Sequence, residues 1–467
     1  MDSTVKTSFD QERRRTRALL GNYDRPGPRY TSYPAAPHFK TTVRNEDYAA
    51  RLKQLDAAVR VALYVHIPFC AHRCKYCGCS VIPTRKRDIS ETYLDSVATE
   101  LRLVGALLAS TAPIDSLHLG GGTPTYLRSS ELEALFTSIR QSFSLDGARE
   151  ISVELDPRVT SQAQLEVLRD AGANRVSLGV QDTSPVVQNA IGRYQNWEQT
   201  RGCFEACRET GFEHINVDLV YGLPHQTQER WERTLADVLS LRPERLAIFA
   251  YAHVPWVRPN QKAIDPASLP GAEGRLHLIL QAHEELTSRG YVQIGLDHYA
   301  LPGDDLERAQ VAGTLGRNFM GYTPAKDTPV LGFGLSAIGD LEEGYFQNEK
   351  KLSRYSARLE RQELPVERGW LCSSEDRLRR LVIHEILCNL GVDYSEFERR
   401  FGVPFLECFG PEQKQLLRLE DDGLVELATG WLRVTSLGRL FVRNIAMVFD
   451  SYLNQAPGTG PQYSRTV

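Results

Sequence analysis

VALYVHIPFCAHRCKYCGCS, residues 61–80, joins a short apolar run of strand length to a loop that carries four thiols. Cys70, Cys74 and Cys77 fall within eight residues, and Cys79 follows almost at once. The whole chain has nine cysteines, so four in one loop point away from ordinary packing. Thiolates ligate iron–sulfur clusters and zinc, and tight spacing lets one loop close around a metal centre. A disulfide pair, or buried thiols acting as small hydrophobes, are the bland alternatives. Neither gives the thiols a reason to share a loop.

The spacing separates the metals. A structural zinc site usually joins two cysteine pairs from separated segments, and no second pair of that kind follows. Three ligands lie close together with nothing distant to complete the set. A four-iron cubane held by three cysteines leaves one iron open to a small molecule, as a catalytic metal keeps one position unfilled.

Working outward, 467 residues with 42% hydrophobic content can bury a large core, as a main domain with one or two smaller units. The apolar runs are too short to span a bilayer, and the first residues, MDSTVKTSFDQERRRTR, are charged where a signal peptide would be apolar. Cytoplasm is therefore the expected location. An odd cysteine count argues against a secreted disulfide framework, and a net charge of −4 gives no sign of a nucleic-acid surface. Arg13, Arg14 and Arg15 read as a solvated helix face.

Residues 1–55 read as an N-terminal extension. Within it RPGPRYTSYPAAPHF (25–39) suggests an extended strap lying on another surface. From Val61 a rhythm of strand, loop and amphipathic helix begins. The strand candidates are 61–67, 114–119, 151–155, 174–180, 215–222 and 245–251, with helices at 90–108, 130–143, 162–171, 197–211 and 227–241. This alternation implies right-handed crossovers and a parallel sheet. Six units make an α/β fold, an incomplete parallel (β/α)6 barrel spanning residues 56–365.

Catalytic groups of parallel barrels sit at the C-terminal ends of the strands, and each of the six runs ends in a distinctive group. The first ends in the cysteine loop and the second in Gly120, Gly121, Gly122, Thr123 and Pro124. The third carries Glu154, the fourth Gln181 and Asp182, the fifth Asp218, and the sixth Tyr251, Ala252 and His253. The glycines would let backbone approach a ligand and leave N–H groups free for it, although most glycine runs are turns. Glu154 and Asp218 have helix capping as their bland reading. Arg193 is expected on a following helix, within reach of a carboxylate. Cys203 and Cys207, one helical turn apart, read as core.

Residues 294–305 and 317–324 read as loops rich in Gly, Asp and aromatics, and LGFGLSAIGD (331–340) as an apolar stretch with small residues. Such loops beside a barrel mouth suit a large, partly apolar substrate. From residue 366 to 467 the composition shifts to charged helices (375–390, 411–422), a strand pair (425–435) and a last helix (437–453). That pattern suggests a small, mainly helical, winged-helix-like domain serving as a lid or docking unit.

The Cys-x3-Cys-x2-Cys loop resembles the signature of the radical S-adenosylmethionine (SAM) superfamily. RYTSYP (29–34), YVHIPFC (64–70), CGC (77–79), LGGGTPTYL (119–127), GVQD (179–182), VYGLPHQT (220–227), LDHYA (296–300), NFMGYTP (318–324) and MVFDSYL (447–453) together resemble the oxygen-independent coproporphyrinogen III dehydrogenases. The resemblance implies a [4Fe-4S] cluster, two SAM molecules, and a 5′-deoxyadenosyl radical that starts conversion of the ring A and B propionates of coproporphyrinogen III to the vinyl groups of protoporphyrinogen IX. It assigns Cys70, Cys74 and Cys77 to the cluster, and Cys79 as a further, non-ligating and catalytic cysteine. Tyr64, Gly121, Glu154 and Ile338 match contacts to the first SAM; Tyr76, Gly122, Thr123, Gln181, Arg193, Asp218 and Ala252 match the second. Position 76 is often Phe and position 80 often Asn in that family, where this chain has Tyr76 and Ser80. The implied partners are a cellular reductant and an electron acceptor, for a monomer with no nucleic acid and no membrane insertion. The rivals are a related radical SAM methyltransferase or cyclopropanase, and a non-catalytic haem-trafficking protein. Cys79 argues against the haem carriers, which generally have an aromatic there, and RYTSYP with the complete C-terminal region argues against the shorter relatives.

Overall fold

A computed structural model describes residues 14–108, 112–341, 343–453 and 462–466. Six strands lie side by side in chain order and all parallel: β1 (Val61–Ile67), β2 (Ile114–Gly121), β3 (Glu150–Leu155), β4 (Arg175–Gln181), β5 (His214–Tyr221) and β6 (Arg245–Ala250). Between them run α1 (Asp88–Leu107), α2 (Ser129–Ser142), α3 (Gln162–Asp170), α4 (Trp197–Glu209) and α5 (Gln228–Leu241). Each helix begins and ends within two residues of where the periodicity puts it.

Strand period decides what each face does. Leu63, Val65 and Ile67 of β1, Leu117 and Leu119 of β2, and Ile151 and Val153 of β3 point outward and pack with Val97 and Leu101 of α1 and with Leu132, Leu135 and Ile139 of α2. Burying each such side chain stabilises the fold by about 1.5–3 kcal/mol. The alternate residues Ser116, His118, Ser152, Glu154, Ser177, Asn216 and Asp218 face inward and line a cavity. Six strands do not close, so the interior stays open and polar instead of filling with apolar layers.

An ion cluster seals the opposite end. Arg175 Nε donates to Glu150 Oε2 at 2.7 Å and Arg245 Nε to Asp304 Oδ1 at 2.8 Å, with cross-contacts at 3.8 Å. Burial opposes the Glu150 charge, but the two guanidinium groups overcome it and hold the carboxyl down at about 2. Removing one partner would strand a buried charge.

The sheet runs past the six strands on both sides. Val330–Phe333 pairs parallel with β1, and Ile338–Asp340, Gly344–Asn348 and Val366–Leu371 continue antiparallel from it. On the other edge His298–Ala300 lies antiparallel to β6 and Val292–Ile294 beyond it. RNFMGYTP forms a hairpin, Gly316–Asn318 against Gly321–Thr323. Several segments read as loops thus contain strands, and runs of three residues are too short to show a period of two. Val366–Leu371 lies on the C-terminal side of the boundary expected at 365, so the last unit is tied into the main sheet.

That unit contains the helix Ser374–Asn389, a three-stranded sheet of Gly391–Asp393, Trp431–Val434 and Val425–Ala428, and helices Tyr394–Phe401 and Gln413–Asp421. The expected helix 437–453 is instead two short ones, Ser436–Arg439 and Val442–Met447, with fully buried Phe441 at the break. Its core includes Ile383, Ile386 and Phe397 together with Leu276 and Ile294 from the barrel side.

Residues 14–23 are helical, with Arg14 and Arg15 exposed, and residues 1–13, Arg13 among them, lie outside the described residues. The strap after this helix is buried. Tyr30 Oη donates to Asp450 Oδ2 at 2.9 Å, Tyr33 Oη meets Ser451 Oγ at 3.0 Å, and Arg443 Nε donates to the Pro28 carbonyl at 3.0 Å. RYTSYP and MVFDSYL therefore hold each other. Among the described residues no helix is long and apolar enough to cross a membrane.

Candidate functional site

A cavity of about 550 Å3 opens where β1–β6 end. Cys70, Cys74, Tyr76, Cys77, Cys79, Gly121, Gly122, Thr123, Glu154, Gln181, Arg193, Asp218 and Ala252 all line it. Residues scattered over 180 positions of sequence are brought to one space because every strand delivers its C-terminal end to the same rim.

The cysteine loop is pinned at its base and along its length. Phe69–Cys70 pairs with Ile82–Pro83, the Ile82 N–H donates to the Pro68 carbonyl at 2.7 Å, and the Thr84 N–H to the Cys70 carbonyl at 2.9 Å. His66 Nε2 lies 2.8 Å from the Ser80 carbonyl, which places its proton on that nitrogen, and Nδ1 accepts from the Tyr64 hydroxyl at 2.8 Å. This contact supplies a partner for the loop end at Ser80. From the short turn Pro259–Ala263, Asn260 Nδ2 donates to the carbonyls of Lys75 (2.9 Å), Cys77 (3.0 Å) and Cys74 (3.3 Å). Gln261 Nε2 adds bonds to the Tyr76 and Ala252 carbonyls at 2.8 and 3.1 Å.

Each thiol has its own surroundings. Cys70 Sγ lies 3.3 Å from Thr123 Oγ1, and burial pushes its pKa up to about 12. Cys74 Sγ has Arg193 Nη1 at 3.8 Å and Arg158 Nη2 at 4.0 Å, and both guanidiniums are tied to Asp156. The Cys79 thiol and backbone N–H, the latter at 3.4 Å, favour the Cys77 thiolate and pull its pKa to about 6, with help from Arg73 and Arg258. Cys79, open to the cavity, is driven the other way by Cys77 and stays a thiol. Among the described residues no three of His, Cys, Asp and Glu converge on a single ion position, whereas a zinc with Zn–S bonds of about 2.3 Å needs its thiols gathered tightly. Three thiols around one cavity, with the Arg158 and Arg193 guanidiniums beside Cys74, are a donor set that fits a multi-iron cluster.

The glycine run does not do what its sequence suggests. The Gly121 N–H donates to Glu154 Oε2 at 3.1 Å and the Gly122 N–H to the Ile67 carbonyl at 2.8 Å, so neither is free for a ligand. Gly121 has a positive φ of +117°, and a Cβ there would stand 2.6 Å from the His66 ring; at Gly122 it would stand 2.8 Å from the Phe69 carbonyl. The glycines are needed because β2 ends directly under the cysteine loop.

Neither Glu154 nor Asp218 caps a helix, since Ser161 caps α3 and Thr227 caps α5. Burial opposes the Glu154 charge, but His118 Nε2 at 3.3 Å and the Gly121 N–H keep its pKa below the usual value. Burial, aided by Glu154, pushes Asp218 up to about 6, although Ser177 Oγ and Asn216 Nδ2 donate to it at 3.1 and 2.7 Å. Arg193 stands just past the helix Pro185–Ile191 and not on it, because Gly192 ends that helix in the left-handed region. Gln181 faces the cavity at a bulge with φ of 72°, whereas Asp182 turns away to Gln226 and Thr234. Tyr64 and Ile338 are not part of the lining: Tyr64 acts on His66 and stacks on His118, and Ile338 lies beside Gly332 in the strand next to Val330–Phe333. Cys203 and Cys207 are buried in the outer core.

Sequence reasoning passed over His66, His118, Asp156, Arg158, Asn260 and Gln261. The first two were within reach, because Ala62, Tyr64 and His66 share one face of β1 by parity, as Ser116 and His118 do on β2. Asn260 and Gln261 meet the cysteine loop across more than 180 residues and leave no local signal.

The model of the radical SAM superfamily matches residues 64–238, and that of the HemN C-terminal domain matches residues 372–441. A protein of Pseudomonas aeruginosa named oxygen-independent coproporphyrinogen III oxidase is 40% identical over 438 residues, 93% of this chain and 95% of its own. An Escherichia coli protein of the same name is 40% identical over 455 residues, 96% and 98% of the two chains. A solved Escherichia coli structure, described as coproporphyrinogen III oxidase (HemN), a radical SAM enzyme, superposes with a TM-score of 0.87 at 40% identity over 91% of this chain and 97% of that one.

Proposed function

Because the chain belongs to the family of oxygen-independent coproporphyrinogen III oxidases within the radical SAM superfamily, we propose that this cavity is its active site and that the lining residues divide the work as follows. The enzyme is a radical SAM oxidoreductase of haem biosynthesis, requiring a [4Fe-4S] cluster and SAM, that oxidatively decarboxylates coproporphyrinogen III to protoporphyrinogen IX. When bound, these cofactors supply the 5′-deoxyadenosyl radical that takes a hydrogen from the ring A and B propionates, whose loss of carbon dioxide and one further electron leaves vinyl groups.

Cys70, Cys74 and Cys77 hold the cluster. The support is their common cavity, the Arg193 guanidinium beside Cys74, and the Cys79 hydrogen bond that, with Arg73 and Arg258, favours the Cys77 thiolate. Glu154, kept ionised by His118, offers a carboxylate for the ammonium of the first SAM beside Gly121. Tyr64 and Ile338 act on that site from behind the lining, Tyr64 through its hydrogen bond to His66. Tyr76, Gly122, Thr123, Gln181, Arg193, Asp218 and Ala252 take a second SAM, with Arg193 as the carboxylate partner and Asp218 as a hydrogen-bond acceptor. Cys79 keeps a protonated thiol beside the reacting groups. Phe249, Met320 and Tyr322 add apolar lining suited to a macrocycle. We further infer a monomer acting in the cytoplasm with a cellular reductant and an electron acceptor, organised as residues 1–55, 56–365 and 366–467.

One observation carries this reading: the cysteine loop, the β2 glycines, Glu154, Arg193 and Asp218 share one cavity. The test is anaerobic turnover of cluster-loaded protein with reductant, SAM, an electron acceptor and coproporphyrinogen III. Protoporphyrinogen IX and two carbon dioxides per substrate are expected. SAM cleavage with no vinyl product would move the chain to the methyltransferase or cyclopropanase relatives, and porphyrin binding without SAM cleavage to haem trafficking.

A further inference from the structure

We propose that Arg29, carried into the active-site cavity by the N-terminal strap, anchors a non-reacting propionate carboxylate of the substrate. The inference rests on the substrate reading above and assigns one of its contacts. The strap reads in sequence as a docking element, and its tyrosines do bind it to the C-terminal unit. Arg29 leaves that interface and lines the cavity beside Ala250 at the end of β6.

The group is held in place but mostly unspent. Its backbone carbonyl accepts from Arg317 Nη1 at 2.8 Å, and its Nη2 donates to the Ala250 carbonyl at 2.6 Å. A guanidinium has five N–H donors in a rigid fork, and this is its one hydrogen bond among the described residues. The local charge does not balance either. Arg317 disfavours the Arg29 cation, Arg29 and Arg317 both disfavour Arg443, and the Asp297 carboxylate favours Arg29. That carboxylate is already shared by His298 Nδ1 at 2.8 Å and Arg317 Nη2 at 3.3 Å. Burial also works against the Arg29 cation. A buried excess of positive charge is costly unless an anion meets it, and the substrate brings four carboxylates. Phe249, His298 and Tyr322, with ring centroids 5.8 and 5.2 Å apart in series, border the same cavity and give the macrocycle a face. A propionate that lost carbon dioxide while paired to Arg29 would strand that cation, so the anchored group is one that survives the reaction, on ring C or D.

The test is binding of air-stable porphyrins to the cluster-loaded holoenzyme, followed by fluorescence, for wild type, Arg29→Gln and Arg29→Lys. Coproporphyrin III carries all four propionates, mesoporphyrin IX only those of rings C and D, and mesoporphyrin IX dimethyl ester neither as an anion. Arg29→Gln is expected to weaken the first two by a similar factor, roughly 30-fold or more, to leave the ester unchanged, and to be partly rescued by Arg29→Lys. Cluster absorbance and melting temperature report whether each variant is folded, and if Arg29→Gln is not, the same selective loss, of smaller size, is read on Arg29→Lys. Loss confined to coproporphyrin III, equal loss for the ester, or no loss at all overturns the inference. Failure of wild type to bind coproporphyrin III overturns the substrate reading instead.

Discussion

Replacing Asn260 by Ala tests what holds the cysteine loop in shape. One amide nitrogen serves three loop carbonyls, two of them at distances of 2.9 and 3.0 Å and one at 3.3 Å. Counting the two shorter bonds at about 1 kcal/mol each gives about 2 kcal/mol of loop order. Asn260 Oδ1 is buried without a partner, so deleting the amide also removes an unsatisfied atom and keeps the loss at the low end. That energy corresponds to roughly 30-fold weaker cluster retention, within the 10–100-fold typical of groups that orient metal ligands. The assay is anaerobic chelator challenge of reconstituted protein, followed by cluster absorbance, with melting of the cluster-free protein as control. Faster iron loss with an unchanged melt is expected, and Asn260→Asp should be worse, because a carboxylate would face three carbonyls. Equal rates of iron loss in wild type and both variants would refute the clamp.

Cys79→Ala should keep iron and sulfide content and lose product formation, measured on the same anaerobic preparation; loss of the cluster would make Cys79 a ligand. A second expectation concerns Glu100, fully buried on α1, which accepts from the Gly334 N–H at 2.8 Å and Asn348 Nδ2 at 2.6 Å, and whose pKa burial pushes up to about 7. The unfolded chain releases this proton near 4.5 and the folded chain only near 7, so stability is highest at low pH and falls through that window by up to about 3 kcal/mol. Asp182 and Asp218, both raised to about 6, act in the same direction, while Glu150, Asp156 and Asp297, held near 2, lose stability only in stronger acid. Denaturant melts from about pH 5 to about pH 8 should show this decline, and Glu100→Gln should flatten it; an unaltered slope would contradict the assignment.

The six barrel strands and five helices were legible because each is long enough to show its period, and because the parallel order makes every functional group a strand end. Position alone therefore placed Glu154, Asp218 and Gln181 on the cavity. The reading failed where contacts are distant or elements short. The glycine N–H groups of β2 are spent on Glu154 and Ile67, which no local pattern reveals. The strands around Ile338 and His298 have three residues each, below what alternation can register. Arg29 looked like part of a strap because nothing in RYTSYP says which side chain leaves the interface. Arg193 lies two residues past the end of the helix it was expected on, because Gly192 stops that helix in the left-handed region.

The most direct test of the central claim is electron paramagnetic resonance of the reduced, anaerobically reconstituted protein, recorded with and without SAM labelled at its amino nitrogen. Three cysteine ligands and one open iron predict a four-iron signal that changes on adding SAM and gains hyperfine coupling to the label, and that disappears in Cys70→Ala, Cys74→Ala or Cys77→Ala. A signal indifferent to SAM, or uptake of zinc in place of iron, would contradict it.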